Sequence, residues 1–249
     1  MAIHLYGVTR ADAEVPGPVN GRGDVPVRLV ADGDLAVIVS DVDLGRPAGP
    51  KDLLAHARVL EAYVEHETVV PMQFGIALPD DESVRGRVLH TERESLSYLL
   101  GAFDGLVQLT VQAFHHEEQA LREVLARDAG IREEREWQTA HPGAATQSQQ
   151  VALGQAVSEV LEDIEEEDRV FVLDRLAPLA AAVAEGETPA AHQLLNAAFL
   201  VERATMDAFG KEVAALADEV EERIRLRFVG PQPPYSVLEP VRDGELVWD

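Results

Sequence analysis

The sequence predicts an α+β protein made of two domains. Short β-prone segments open the chain, amphipathic helical patterns follow them, and the same alternation starts again after residue 105. A chain of 249 residues with 46% hydrophobic residues is long enough for two domains of ordinary size, each with its own core. We place the boundary at Asp104-Gly105, and we expect domains at residues 1–104 and 105–230 and a tail at residues 231–249.

The first domain is predicted to open with strands. Residues 3–8 alternate around a β-prone core and predict the first strand. Residues 25–30 and 35–39 flank Asp32-Gly33, where glycine supplies the positive φ that a tight hairpin turn requires. The second arm of this hairpin is apolar on both faces, which predicts a central strand.

A further strand is predicted at residues 69–76. Its internal Pro71 cannot donate a ladder hydrogen bond, so this strand should lie at a sheet edge or carry a bulge. Two helices flank it, one starting near Pro50 and one running from about residue 81 to Leu100. The buried face of the first helix is predicted by apolar residues at helical spacing, which are Leu53, Ala57, Leu60 and Val64.

The second domain is predicted to alternate strands and helices. We expect a strand at 106–114, a helix at 116–128, an irregular mobile loop at 130–150, a helix at 149–176, a helix at 207–222 and a strand at 224–229. The segments Leu179–Val183 and Leu194–Val201 are compatible with either helix or strand. If both are strands, the order is β-α-β-β-α-β, which is ferredoxin-like.

The composition restricts the possible partners. The formal net charge of −24 repels phosphate backbones and anionic membranes, so we expect no nucleic-acid or membrane partner. Partners should be basic or apolar, because dense acidic charge keeps a protein in solution while it binds a hydrophobic neighbour. No run of residues is long and apolar enough for a bilayer span and no signal peptide is evident, which favours the cytoplasm.

The residues that could support catalysis lack the necessary spacing. The chain has no cysteine, and the pair His115-His116 would need histidine at position 120 for a helical zinc motif, where Ala120 stands. The acidic run 165–168 is typical of a solvated helix face, because adjacent carboxylates on a helix point in different directions. Gly21-Arg22-Gly23 lacks the third glycine of a dinucleotide loop. We therefore expect no enzyme activity, no cofactor and no metal.

Three segments in order carry short motifs that span nearly the whole chain. They are His4-Leu5-Tyr6-Gly7-Val8, Val70-Pro71-Met72-Gln73-Phe74-Gly75, and Asn196-Ala197-Ala198-Phe199-Leu200-Val201 followed by Gly230-Pro231-Gln232-Pro233-Pro234-Tyr235-Ser236. Together they resemble the GvpF/GvpL gas vesicle protein family, and the chain length favours the F-type. Gln73, Gln232 and Val237 depart from the residues that many relatives have, so no role of those side chains is carried over.

The resemblance implies a fold and a function. It implies two α+β domains, the C-terminal one ferredoxin-like (βαββαβ) with an extended proline-rich tail, so that both ambiguous segments become strands. It implies a protein of the cytoplasm and the gas vesicle that binds GvpA, the small hydrophobic shell protein, and other Gvp proteins during assembly. The motif residues that could contact a partner are Tyr6, Gly7, Pro71, Phe74, Gly75, Phe199, Gly230, Pro231, Pro233, Pro234 and Tyr235.

Several alternatives stay open at this point. Phe199 is expected in a sheet core rather than at a contact surface, and the tail can pack on its own N-terminal domain or on a partner. Strand addition to an exposed edge, or insertion into a groove between the domains, would hold an apolar segment of the shell protein. A small-ligand-sensing module on a ferredoxin-like domain and an enzyme with convergent polar residues are the rival functions, because one fold serves many functions.

Overall fold

The computed structural model describes residues 2–14, 16–45 and 47–238, which form a mixed α and β fold. The strands are β1 (Ala2–Arg10), β2 (Arg28–Asp32), β3 (Leu35–Val42), β4 (Val70–Pro71), β5 (Ala77–Leu78), β6 (Leu106–His115), β7 (Ala182–Glu185), β8 (Gln193–Glu202) and β9 (Ile224–Gln232). The helices are α1 (Pro50–Val64), α2 (Asp81–Val84), α3 (Arg93–Ala102), α4 (Glu117–Arg127), α5 (Ala129–Ala140), α6 (Gln147–Leu176), α7 (Met206–Val220) and α8 (Tyr235–Leu238).

The chain divides into two compact units that are discontinuous in sequence. The first draws its described residues from Met1–Leu109, Leu200–Thr205 and Val229–Asp249, and the second comprises Thr110–Phe199 and Met206–Phe228. The domain limits expected from the sequence, at 104/105 and 230/231, stay a prediction.

The sheet of the first unit has the order β2-β3-β1-β4, with β5 also paired to β1. Strands β2 and β3 form the predicted hairpin, in which Asp32 pairs with Leu35 and Gly33 has φ +64°. Strand β3 lies inside the sheet, as its apolar sequence predicted. The apolar core on this sheet is completed by helices α2 and α3, and its members include Leu5, Val37, Val84 and Leu100.

The strand predicted at residues 69–76 forms two separate pieces at the side of β1. Strand β4 pairs Pro71 with Gly7 and is the last strand of the sheet order, so the expected edge position of Pro71 is confirmed. Strand β5 pairs Ala77 with His4. Between these pieces Gly75 has φ +101°, a left-handed conformation that glycine adopts without steric cost.

The buried face of α1 matches the predicted one in part. Leu60 and Val64 are buried as expected, but Leu53 is 52% exposed, whereas Asp52 and His56 are buried together with Tyr63. In the first half of the helix two polar residues therefore occupy the core-facing stripe, where they find partners. The carboxylate of Asp52 accepts a hydrogen bond from the Gly49 amide at 3.0 Å and caps the helix.

The long helix expected at residues 81–100 is divided. Helix α2 passes into a π-helical turn at Arg85–His90, and α3 starts at Arg93 after a break. The expected inward residues Val84, Leu96 and Leu100 are nevertheless buried.

A four-stranded sheet of order β7-β8-β6-β9 carries the helices of the second unit. The loop predicted at residues 130–150 is wrong over its first half, where α5 forms. Asp128 caps this helix by accepting from the Ile131 amide at 2.9 Å, and the Ile131 side chain is buried. Residues 133–138 are good helix formers, and the turn at His141-Pro142-Gly143 ends the helix.

The structure shows which parts of the two ambiguous segments and of the tail are extended. Residues 194–201 lie in β8, as the resemblance implied. In the first ambiguous segment only residues 182–183 lie in a strand, β7, and Leu179 ends a 3₁₀ turn at Ala177–Leu179. The extended tail conformation ends at Gln232, because Tyr235 starts the single turn of α8. The expected tail residues 239–249 lie outside the described residues.

The acidic run on α6 contains one buried member, which corrects the expectation of a fully solvated face. Asp168 is 3% exposed. One of its oxygens lies 2.8 Å from Nε2 of His115 on β6, and the other lies 2.9 Å from the Arg223 guanidinium. These two contacts join the middle of α6 to the sheet, because a buried carboxylate is stable only where its oxygens are paired.

Gly7→Ala should lower the free energy of unfolding by about 1–3 kcal/mol. A Cβ at this position would lie 2.8 Å from Val69 Cγ1 and 2.9 Å from the Val70 carbonyl oxygen, which is backbone and cannot yield. Urea unfolding measures the change. Gly154→Ala is the matched control: it adds a Cβ in open space within α6 and should raise stability by about 1 kcal/mol. Equal effects of the two substitutions would contradict this reasoning.

Asp168→Ala should destabilise the protein by about 3 kcal/mol, because it leaves a buried imidazole and a half-exposed guanidinium without their shared carboxylate. The neighbouring Glu167→Ala removes an ion pair with Arg127 that is exposed to solvent, so it should cost much less than Asp168→Ala. Thermal unfolding of both variants, followed by circular dichroism, gives the comparison. Similar losses for the two would mean that Asp168 does not join α6 to the sheet.

Candidate functional site

An apolar cleft lies at the start of β1 in the first unit. It has a volume of about 420 Å³ and is lined by Ala2, Asp43, Leu44, Gly45, Ala77, Leu78 and Pro79. Strands β3 and β5 flank β1 on opposite sides here, because Ala2 pairs with Val42 and Ile3 pairs with Leu78. The loop after β3 presents Leu44, which is 63% exposed. The cleft thus offers apolar walls and one carboxylate at its rim.

The segment that forms one wall is held in place from inside the unit. The Tyr6 carbonyl oxygen accepts from the Met72 amide at 2.9 Å, and the Leu5 amide donates to the Ile76 carbonyl oxygen at 3.1 Å. Helix α1 contributes a third bond, in which His56 Nε2 lies 3.1 Å from the Met72 carbonyl oxygen. Residues 72–76 therefore have a fixed path into β5, and the cleft is formed before any partner binds.

Two buried imidazoles connect α1 to β1. Nε2 of His4 lies 3.0 Å from Nδ1 of His56. Because a carbonyl oxygen only accepts, His56 carries its proton on Nε2 toward Met72, and its Nδ1 accepts from Nε2–H of His4. Nδ1 of His4 then bears a lone pair and makes no hydrogen bond within the described residues. Phe74 packs edge-on against both imidazole rings, with centroids at 5.5 and 5.6 Å.

The Tyr6 side chain organises the other side of this cluster. The register of β1 and β3 shifts between Leu5 and Gly7, so Tyr6 is the extra residue of a bulge. Its hydroxyl accepts from the Arg22 amide at 2.7 Å and shares a hydrogen bond with Ser40 Oγ at 2.7 Å. A Cβ at Gly21 would overlap the hydroxyl, so only glycine can cross at this point.

Burial controls the protonation of the cluster. Removal from water, together with the neighbouring His56 and Arg22, lowers the pKa of His4 to about 4, although Asp52 opposes the shift. The Ile76 carbonyl oxygen also acts to raise the pKa of His4, but it makes no hydrogen bond with His4 Nδ1. Burial lowers the pKa of His56 as well and raises that of Tyr6. Both imidazoles are therefore neutral near pH 7.

The N-terminal motif residues all collect at this cluster. Tyr6 and Phe74 are part of it, Gly7 gives Val69 and Val70 room to approach β1, and Pro71 and Gly75 shape the edge beside it. None of these five residues is among those that line the cleft. Direct contact of these residues with a partner stays a prediction.

The C-terminal motif residues lie elsewhere. Gly230 has φ +150°, and a Cβ there would lie 2.7 Å from the Leu109 side chain. Pro233 and Pro234 are buried, and Ser236 bonds the side chain of Gln108 through its amide at 3.0 Å. Tyr235 is 40% exposed, and burial of the rest of its ring raises its pKa to about 12. This part of the motif therefore packs within its own unit.

Phe199 lies in the second unit, where it is fully buried against Phe209 with ring centroids 5.2 Å apart. The core position expected for this residue is what the structure shows. Pro231 stands between Gly230 and the buried prolines, at the end of β9.

The sequence analysis missed the polar members of the cluster. His4, Ser40, Asp52 and His56 were not selected, although a histidine within an apolar strand is a recognisable signal. His4 and His56 are 52 residues apart in the chain, and Ser40 lies 34 residues from Tyr6, so spacing alone could not reveal these two pairs. Within the described residues no group of three or more histidine, aspartate or glutamate side chains could hold a metal ion.

The chain matches the family described as gas vesicle synthesis protein GvpL/GvpF over residues 2–237. It is 35% identical over 242 residues to gas vesicle protein F of a Streptomyces species, with 96% of this chain and 100% of the relative covered. It is 24% identical over 194 residues to gas vesicle protein F of a Nostoc species, with 77% and 79% covered.

Two solved structures share the fold. The crystal structure of GvpF from an Anabaena species has a TM-score of 0.80 at 21% identity and covers 94% of this chain and 97% of its own. GvpF from Microcystis aeruginosa has a TM-score of 0.76 at 21% identity, with 94% and 98% covered. The α+β fold class expected from the sequence is confirmed by this likeness.

Acidification should destabilise the native protein through His4. The folded pKa of about 4 lies below the ordinary value of 6.5, so the unfolded chain takes up the proton first. The stability contributed by the neutral ring is present above about pH 6.5 and is lost as the pH falls toward 4, by about 2 kcal/mol at pH 5. His4→Gln keeps a donor toward His56 but does not titrate. Urea unfolding at pH 7 and pH 5 should show a smaller loss for this variant, and identical losses would refute the assignment.

Proposed function

Because the chain belongs to the GvpL/GvpF family of gas vesicle synthesis proteins, we propose that it is a non-enzymatic assembly protein that binds the hydrophobic shell protein GvpA during vesicle formation. The family establishes a gas vesicle-related role. The chaperone-like binding of GvpA, the association with other Gvp proteins and the location at the vesicle are parts of this proposal. The names of the relatives support the F-type.

The cleft at the start of β1 is the observation that carries the proposal. An apolar segment of GvpA placed there would bury Leu44, Leu78 and the adjacent methyl groups, and full burial of one leucine side chain is worth about 1.5–3 kcal/mol. The wall residues have their path fixed by the buried cluster, so little ordering entropy is lost on binding.

The charge of the chain fits this role. A net charge of −24 opposes self-association of a complex that carries a hydrophobic cargo. None of the helices within the described ranges has the length and apolarity needed to cross a membrane.

The chemistry of the cleft favours a polypeptide over a small ligand. A small-molecule site needs several convergent polar groups, and Asp43 is the single charged side chain among the residues that line this cleft. The buried histidines and tyrosine bond one another and lie beneath the surface, which suits a structural role rather than turnover of a substrate. The rival ligand-sensing function therefore has less support.

The topology of the second sheet supports a finer assignment of the fold. The strand order β7-β8-β6-β9, with helices between β6 and β7 and between β8 and β9, is the order of a ferredoxin-like βαββαβ domain. Two additional helices, within the first crossover, would extend that topology. We include this assignment in the proposal.

Leu44→Asp should reduce the amount of GvpA that the protein retains in solution by roughly tenfold, because it replaces an apolar contact by a charge. The measurement is co-expression of tagged protein with GvpA, followed by quantification of GvpA in the soluble and co-purified fractions. Leu179→Asp is the control, since Leu179 is also exposed, at 43%, but belongs to the second unit. Undiminished retention by Leu44→Asp, or equal losses in both variants, would remove the cleft as the binding site.

A further inference from the structure

Helices cover one face of the β7-β8-β6-β9 sheet within the second unit. His115 of β6 contacts Asp168 of α6 at 2.8 Å. Phe199 of β8 contacts Phe209 of α7, and Phe228 of β9 lies against the same ring at a centroid distance of 6.2 Å. Because side chains alternate along a strand, the residues next to these three must point to the opposite face.

That opposite face carries amide, aromatic and basic side chains, next to the buried Leu194 and Ala198 of β8. Two contacts verify the alternation: Gln112 donates to Asn196 Oδ1 at 3.3 Å, and the Arg225 guanidinium lies 5.1 Å from the centroid of the Phe114 ring. Arg227 follows two residues after Arg225 on β9 and shares its face. We call Gln112, Phe114, Asn196, Arg225 and Arg227 the basic face.

The charge of this face is opposite to that of the chain. The sequence has 45 acidic and 21 basic residues. Arginines elsewhere in the chain, such as Arg127, Arg169 and Arg175, form ion pairs with glutamates. Arg225 and Arg227 are both exposed, and within the described ranges neither makes an ion pair. At the Asn196 end of the face, the Asn196 side-chain amide donates to the Glu187 main-chain carbonyl oxygen. Among the described residues, two positive charges on one face therefore have no ion-pair partner in a strongly acidic protein.

The same two arginines lie on a free sheet edge. Strand β9 is the last in the sheet order, so no described strand pairs with its outer side. An edge strand presents main-chain donors and acceptors that an extended chain can join. Residues two apart on a strand are separated by roughly 7 Å, which is also the spacing of alternate side chains on an added strand.

We propose that the basic face and the β9 edge bind an extended acidic segment of a protein partner. Carboxylates at alternate positions of that segment pair with Arg225 and Arg227, and its backbone joins β9. A second copy of this chain is a poor occupant of the same edge, because β9 against β9 would bring the two arginine pairs together. A nucleic acid is disfavoured because the net charge of −24 repels a long polyphosphate more strongly than a short acidic segment. This inference does not depend on the binding of GvpA by the cleft.

A labelled peptide tests the proposal. The probe is a fluorescein-tagged decapeptide of alternating glutamate and valine, and its anisotropy is followed on titration with the full-length protein at low salt. We expect saturable binding that weakens as salt is added, and weaker binding of the matching glutamine–valine peptide. Arg225→Glu with Arg227→Glu should weaken binding by at least about tenfold. The control, Arg58→Glu with Arg135→Glu, makes the same charge change at two exposed arginines elsewhere and should weaken it much less.

A single variant and an RNA probe distinguish the proposed binding from a folding defect and from nucleic-acid binding. Arg227→Glu alone leaves the contact of Arg225 with Phe114 intact and serves if the double variant fails to fold, as judged by near-ultraviolet circular dichroism. A fluorescein-tagged ten-nucleotide uridine RNA is titrated in parallel. Binding of the RNA in preference to the acidic peptide overturns the proposal, as does equal weakening by the two double variants. Absence of any saturable binding of the acidic peptide also overturns it.

Discussion

The first unit depends on the pairing of polar groups inside an apolar core. Tyr6, His4 and His56 are removed from water, and an unpaired polar atom at such depth costs about 1–3 kcal/mol. Each hydroxyl and imidazole proton therefore needs a partner at a defined distance, and these partners lie on β1, β3, α1 and the segment before β5. Apolar contacts alone would tolerate some sliding of these elements, but directed hydrogen bonds do not. The segment that leads into the wall of the cleft is therefore held in a fixed position.

The second unit uses the same physics with charged groups. Asp168 joins α6 to β6 through His115, as His56 joins α1 to β1 through His4. The two junctions differ in one respect. The carboxylate of Asp168 also meets the Arg223 guanidinium, so an ionic partner offsets the loss of hydration, whereas the histidine pair remains neutral and acquires its lowered pKa values through burial.

Sequence reasoning succeeded where local pattern decides the structure. The β2–β3 hairpin follows from Asp32-Gly33, the edge position of Pro71 follows from its missing donor, and α7 follows from its apolar stripe. It failed where a helix cap or a distant partner reverses the preference that apolar spacing indicates. Helix α1 turns Asp52 and His56 inward because capping and a second histidine satisfy them, and α5 forms in a polar segment because Asp128 caps it and Ile131 is buried. The cleft forms only where β3 and β5 lie on either side of β1, and no pattern within either segment predicts that arrangement.

The two surfaces described for this chain differ in their physical response to the solution. Binding in the cleft would rest on removal of apolar area from water, which added salt does not weaken. Binding at the basic face would rest on charge pairs at exposed arginines, which salt screens within roughly 10 Å at 0.1 M. The net charge of −24 repels an acidic partner overall, and Arg225 and Arg227 offset that repulsion locally at the basic face. The acidic segment would then bind where basic side chains oppose the repulsion, whereas the apolar partner would bind where its shape fits the cleft.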